Sequence, residues 1–164
     1  MRDGKTCVDF LTSIERHFNY LFDQYGFRLV LSEGKRSGEN CLVFLESGSC
    51  KIKFHLDHGI PECYFGTRNS PPNWETKDIG LQGWYNVDPI LAFMARKKPN
   101  LAVPWPKTPG AWSTDDILAA LSRRLRPYIA ELITLFASNL ETETWQEYRA
   151  DFEERVRARK NRHA

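Results

Sequence analysis

Along residues 6–25 the apolar positions Cys7, Phe10, Leu11, Ile14, Phe18, Leu21, Phe22 and Tyr25 recur at steps of three and four, which sets them on one stripe of a helix. Asp9, Glu15, Arg16, Asn19 and Asp23 fall mainly on the other side, and Gly26 follows where a residue of positive φ closes a helix. From Phe27 the period drops to two. Phe27, Leu29 and Leu31 alternate with Arg28, Val30 and Ser32, which predicts a strand. Residues 34–39 are rich in breakers, and 41–45 form an unbroken apolar run that predicts an interior strand. After a tight connection at 46–49, Ile52, Phe54 and Leu56 point one way while Lys51, Lys53 and His55 point the other. Residues 57–61 turn the chain, and 62–67 predict a fourth strand. The pattern therefore specifies an α+β fold: an antiparallel meander of about four strands, one face wet, the other covered by the N-terminal amphipathic helix.

Residues 68–113 differ in kind. They hold seven of the nine prolines and four of the five tryptophans, so regular pairing is interrupted while large rings demand cover. An irregular, ordered Pro/Trp-rich segment is expected, with one short helix inside it: Asp88 as N-cap, Pro89 at the first helical position, and Arg96, Lys97 and Lys98 before Pro99. Ser113 caps the next helix, with Asp115 and Asp116 in its first turn. Pro127 breaks or kinks that helix, apolar residues continue to about Ala137, and Trp145, Tyr148, Phe152 and Val156 mark a last one. Two or three C-terminal helices result. A chain of 164 residues reads as a single domain, 1–164, and a hinge near 110 is where a helix-plus-sheet part (1–110) would divide from a helical part (111–164).

Composition changes this picture little. Hydrophobic residues at 41% with 27% charged are those of a globular chain, and a formal charge of +2 sets up no broad field for nucleic acid or membrane. No apolar run is long enough to cross a bilayer. The N-terminus leads straight into an amphipathic helix rather than an apolar leader, so a cytoplasmic protein is expected, with Cys7, Cys41, Cys50 and Cys63 as free thiols.

Candidate chemistry is sparse. His55, His58 and Cys63, with Cys50 and Cys41 on neighbouring strands, have the residue types of a zinc site but neither CxxC nor HExxH spacing; two solvent-facing histidines and small buried cysteines explain them as well. Cys50 or Cys63 with His55 would make a thiolate pair, but no orienting third group is evident. GxSxG, the phosphate loop and GxGxxG are absent, and no cofactor is implied. Asp115 and Asp116 have a capping role already, and His17 sits at the edge of the first apolar stripe as a packing histidine. The basic run Arg155, Arg157, Arg159, Lys160 and Arg162 would neutralise phosphates, although cations at a helix C-terminus also answer the macrodipole. In the irregular segment Trp74, Trp84, Tyr85, Trp105 and Trp112, with Arg68 and Lys77 as polar neighbours, are candidate partner-binding residues.

An amphipathic helix ending in Tyr25, Gly26 and Phe27, then a meander, then helices, resembles in layout small bacterial accessory and toxin-immunity proteins. The likeness is one of layout, and no residue role is carried over from it. It implies a non-catalytic protein-interaction module with a protein partner, acting by surface occlusion. The alternatives are a nucleic-acid-associated accessory protein using the basic C-terminal helix, and a small metal- or thiol-dependent enzyme around His55, His58 and Cys63.

Overall fold

The computed structural model describes residues 3–34, 40–71, 83–105 and 112–163. Its centre is a five-stranded antiparallel sheet in sequential order: β1 (Arg28–Gly34), β2 (Cys41–Glu46), β3 (Lys51–Asp57), β4 (Ile60–Gly66) and β5 (Trp84–Asn86). Among the described residues six α-helices accompany it: α1 (Asp3–His17), α2 (Asn19–Asp23), α3 (Val87–Lys97), α4 (Thr114–Leu125), α5 (Ile129–Ala137) and α6 (Glu143–Arg162). The α+β class and the meander expected from the alternation are present.

The helix stripe read from the sequence is the core, with one difference. Phe10, Ile14, Phe18 and Leu21 are buried, and Phe18 meets Phe54 of β3 edge-on, centroids 4.9 Å apart. Yet the helix breaks at Phe18 (φ −112°, ψ 29°) instead of running to Tyr25. The break turns the His17 carbonyl outward to accept from Ser122 Oγ at 2.6 Å, and Tyr20 Oη donates to the Ser122 carbonyl at 3.2 Å. A contact to α4 has displaced one helical hydrogen bond. Gly26 (φ +69°) then closes α2 as its position requires.

Both faces of the sheet are apolar, which corrects the expectation of a wet one. Val43, Ile52, Phe54, Leu56, Cys63 and Phe65 join the helices in the main core. On the opposite face Leu42, Phe44 and Trp84 form a second cluster, with Leu31 and Tyr64 packed against it. Gly66 makes room for this cover, because a Cβ there would lie 2.6 Å from Ser70 Oγ and 2.9 Å from Trp84 Cε3. Trp84 comes from β5, which the prolines around it had hidden from the pattern; β5 pairs with β4 through Tyr64–Asn86 and Gly66–Trp84.

The remaining caps follow the sequence closely. Ser113 caps α4 in a reciprocal capping box with Asp116. For α3 the cap is Asn86, whose side chain accepts from Asp88 N at 2.9 Å, so Asp88 stands inside the helix instead of capping it. Pro127 lies in a 3-10 turn (Arg126–Tyr128) that separates α4 from α5.

The cysteines do not all remain thiols. Cys7 of α1 and Cys41 of β2 are joined in a disulfide, Cα atoms 5.5 Å apart, because the N-terminal part of α1 lies against the start of β2. Cys50 and Cys63 are free and buried. No helix among the described residues is long and apolar enough to cross a membrane.

Candidate partner-binding surface

The aromatic residues singled out from sequence separate into two groups. Trp84 is buried at 2% exposure and belongs to the second core cluster, while Tyr85 is half-buried against Trp145 (4.9 Å) and Phe136 (5.8 Å). Trp105 is 41% exposed and stands 5.8 Å from the half-buried Trp112. Arg68 is exposed just beyond β4, and Trp74 and Lys77 lie outside the described residues.

Trp105 ends a run in which every residue from 101 to 105 is exposed, including Leu101 (40%) and Val103 (36%). The run is held at both ends. At its start the 3-10 turn Pro99–Leu101 follows Lys98, whose Nζ reaches Glu131 at 2.7 Å and whose carbonyl accepts from Tyr128 Oη at 3.1 Å. At its end the Arg124 guanidinium of α4 lies over the Trp105 ring, 4.5 Å from the centroid, and faces Asp88 at 3.6 Å. The result is an apolar strap pinned to a scaffold and turned to solvent.

Asp88 continues this surface into a groove of ≈ 330 Å³ between α3 and α6, where Ala92, Phe152 and Val156 meet Arg96, Arg155 and Arg159. The helices are clamped at the closed end by Lys97–Glu147 and Arg96–Asp151, both 2.6 Å, and by Phe93 against Tyr148. Arg155 also reaches Asp151, at 3.0 Å. These contacts hold the Asp151 carboxyl below the usual carboxylate range against its partial burial. Past Phe152 every described residue of α6 is exposed. Of the basic run expected there, Arg155 and Arg157 form ion pairs with acidic residues, while Arg159, Lys160 and Arg162 form none among the described residues.

The metal and thiol candidates do not converge. His55 pairs across the strands with Glu62 and Phe54 with Cys63, so Cys63 faces the helices and His55 the opposite side. His58 sits in the β3–β4 turn beside Asp57. Among the described residues no group of three or more His, Cys, Asp or Glu is placed to hold a metal ion. Burial raises the Cys50 thiol to about 12 and Cys63 well above its ordinary value, which keeps both protonated and poor as nucleophiles. A Ser-His-Asp set does occur at the α1–α4 joint, where Ser13 Oγ, Arg16 and His17 Nε2 (2.9 Å) all converge on Asp115. There Ser13 donates to the carboxylate rather than to the histidine. The arrangement ties two helices and does not activate a hydroxyl.

Sequence reasoning missed Lys53. It alternates with Ile52 and Phe54 as a solvent-facing lysine would, yet it is 1% exposed, with its ammonium 4.9 Å from the Tyr64 ring and 4.8 Å from the Trp84 ring. Its Nζ has no hydrogen-bond acceptor among the described residues. Burial lowers its pKa to about 8 against the pull of Glu62. Glu62 itself is held low by neighbouring His55 and by the Tyr64 hydroxyl, which donates at 2.7 Å. Lys53→Met is expected to raise unfolding free energy at pH 7 by about 1–3 kcal/mol, the lost ring attraction offsetting part of the relieved charge burial. Folded Lys53 titrates near 8 and an unfolded lysine near 10.5, so between those values the unfolded chain binds the additional proton and wild-type stability climbs. The advantage of methionine should shrink across that window in urea melts at pH 7 and pH 10. A variant less stable than wild type at pH 7 would show that the rings outweigh the burial.

No family model, curated protein or solved structure matches the chain, so its function is argued from its own surface.

Proposed function

We propose that the chain is a non-catalytic protein-interaction module that occludes or positions a partner protein, as a bacterial toxin-neutralising (immunity-like) protein or an assembly accessory protein does. The observation that carries this reading is the exposed strap at 101–105, pinned by Lys98 at one end and Arg124 at the other. Leu101, Val103 and Trp105 remain 40%, 36% and 41% exposed, and exposed apolar surface on a rigid scaffold marks contact sites. Tryptophan and arginine are also the residues on which binding energy concentrates. The cytosolic setting expected from the sequence would hold Cys7 and Cys41 reduced, whereas an oxidising compartment keeps their bond.

Quantitative pull-down from the native host tests the reading. Wild type should capture a protein that Val103→Asp and Trp105→Ala each lose by tenfold or more while their melting temperatures stay near wild type. Capture unchanged in both folded variants removes the strap from the argument.

A second reading, a nucleic-acid-associated accessory protein, is supported by the cations at Arg159, Lys160 and Arg162 that lack acidic partners among the described residues. It requires binding to generic DNA or RNA that falls steeply with salt and disappears when residues 155–164 are removed.

A further inference from the structure

We propose that the groove between α3 and α6 docks an acidic, amphipathic helix of a partner protein; this rests on the protein-interaction reading and adds the chemistry of the partner. The two helices are clamped together around Glu147 and Asp151 and stand apart beyond Phe152. In that open stretch the packing side of α6 is no longer covered. Trp145, Tyr148, Phe152 and Val156 follow one another at helical spacing, but the first two are buried and Val156 is 37% exposed. The stripe that seals the closed end thus continues into water at the open end, opposite Pro89 and Ala92 of α3. A 20-residue helix is about 30 Å long, so the stretch past Asp151 offers about three turns to a parallel or antiparallel helix.

Charge selects the occupant. Asp151 is shared by Arg96 and Arg155, and Asp88 faces Arg124, so each acid lining the groove is already opposed by at least one cation. Arg159 makes no ion pair among the described residues, although Glu154 lines the depression beside it, and Lys160 and Arg162 lie just beyond. An apolar floor with an excess of cations on its rim complements a helix with leucine-like residues on one side and carboxylates on its flanks. Nucleic acid fits less well. It has no use for Val156 and Ala92, and the rings that line the groove, Tyr148 and Phe152, lie against each other at 6.1 Å, Tyr148 buried and Phe152 half-buried, rather than open for base stacking. A second copy of the chain would bring its own cationic helix end towards this one.

The test is fluorescence anisotropy with a labelled synthetic helix of about four turns, leucine at every third and fourth position and glutamate elsewhere. The controls are the same residues in scrambled order, a single-stranded DNA of matched charge, and sedimentation of the wild-type protein alone to read self-association. The patterned peptide should bind at micromolar concentration and outcompete the scrambled one. Arg159→Glu and Val156→Asp, both at exposed positions that leave the fold intact, should each weaken it tenfold or more. Equal binding of the scrambled peptide, tighter binding of the DNA, a wild-type dimer that Val156→Asp and Arg159→Glu dissociate, or indifference of peptide binding to both substitutions would each overturn the proposal. If the peptide fails while host capture still depends on Val103 and Trp105, the groove alone is refuted and the interaction reading stands. If the peptide binds while that capture does not depend on the strap, the groove stands and the strap falls.

Discussion

Trp84→Ala lowers the free energy of unfolding by about 3–5 kcal/mol, the cost of removing a large ring from a site that cannot collapse around the space left. Trp84 is 2% exposed and lies 5.6 Å from Phe44. Its Nε1 donates to the Pro71 carbonyl at 2.7 Å, so truncation also strands an acceptor, which raises the cost further. Phenylalanine should recover part of the packing and none of that hydrogen bond. Urea denaturation measures both, with the midpoint falling and the slope unchanged if the native state keeps its compactness. Lys53 shapes the result. In Trp84→Ala water can reach the ammonium, which relieves part of its burial, so Trp84→Ala combined with Lys53→Met should lose more than the two single changes predict by addition. A loss below about 1 kcal/mol for Trp84→Ala would mean that the second face of the sheet is not a core at all.

The second face also shows where sequence reading stops. Strands β1 to β4 and the stripe Phe10, Ile14, Phe18 and Leu21 were legible because each follows from spacing within one segment. So was the Ser113 capping box, whose partners are three residues apart. The break at Phe18 was not, since it depends on Ser122, more than a hundred residues away. Strand β5 is three residues long and owes its identity to pairing with β4, so no periodicity can announce it. Lys53 illustrates the same limit for burial: alternation fixes which face a residue takes, but only distant chain decides whether that face is covered. For the candidate surface, composition named aromatic residues without their direction. Trp84 turned inward and Trp105 outward, and the partner of Trp105 was Arg124, a helix residue that no motif marks. The groove was legible only as two halves, the apolar spacing of Trp145 to Val156 and the basic run after it.

Loss of the Cys7–Cys41 bond should cost about 4 kcal/mol, nearly as much as loss of the buried tryptophan. The bridge spans 34 residues of sequence, and the chain-entropy account of cross-linking gives about that figure for such a loop. For a chain of this size it corresponds to a fall in melting temperature of about 8–16 °C. The reduced protein should nonetheless fold, because Phe10, Ile14 and Phe18 fix α1 on the sheet without help from sulfur. Melting of the oxidised protein, the dithiothreitol-treated protein and Cys7→Ala/Cys41→Ala measures the difference, and the last two should agree closely. Thiol titration supplies the independent check. Cys50 and Cys63 are buried, so the native oxidised protein should show almost no reactive thiol, and unfolding it without reductant should release two thiols rather than four. Four would mean that the pair stands close but unbonded, and the stability difference on reduction would then vanish. The result also bears on where the chain works. In a reducing cytosol the fold must stand on its two apolar faces alone, and the loss at Trp84 then falls on a smaller total, so Trp84→Ala should approach complete unfolding in reductant while remaining largely native without it.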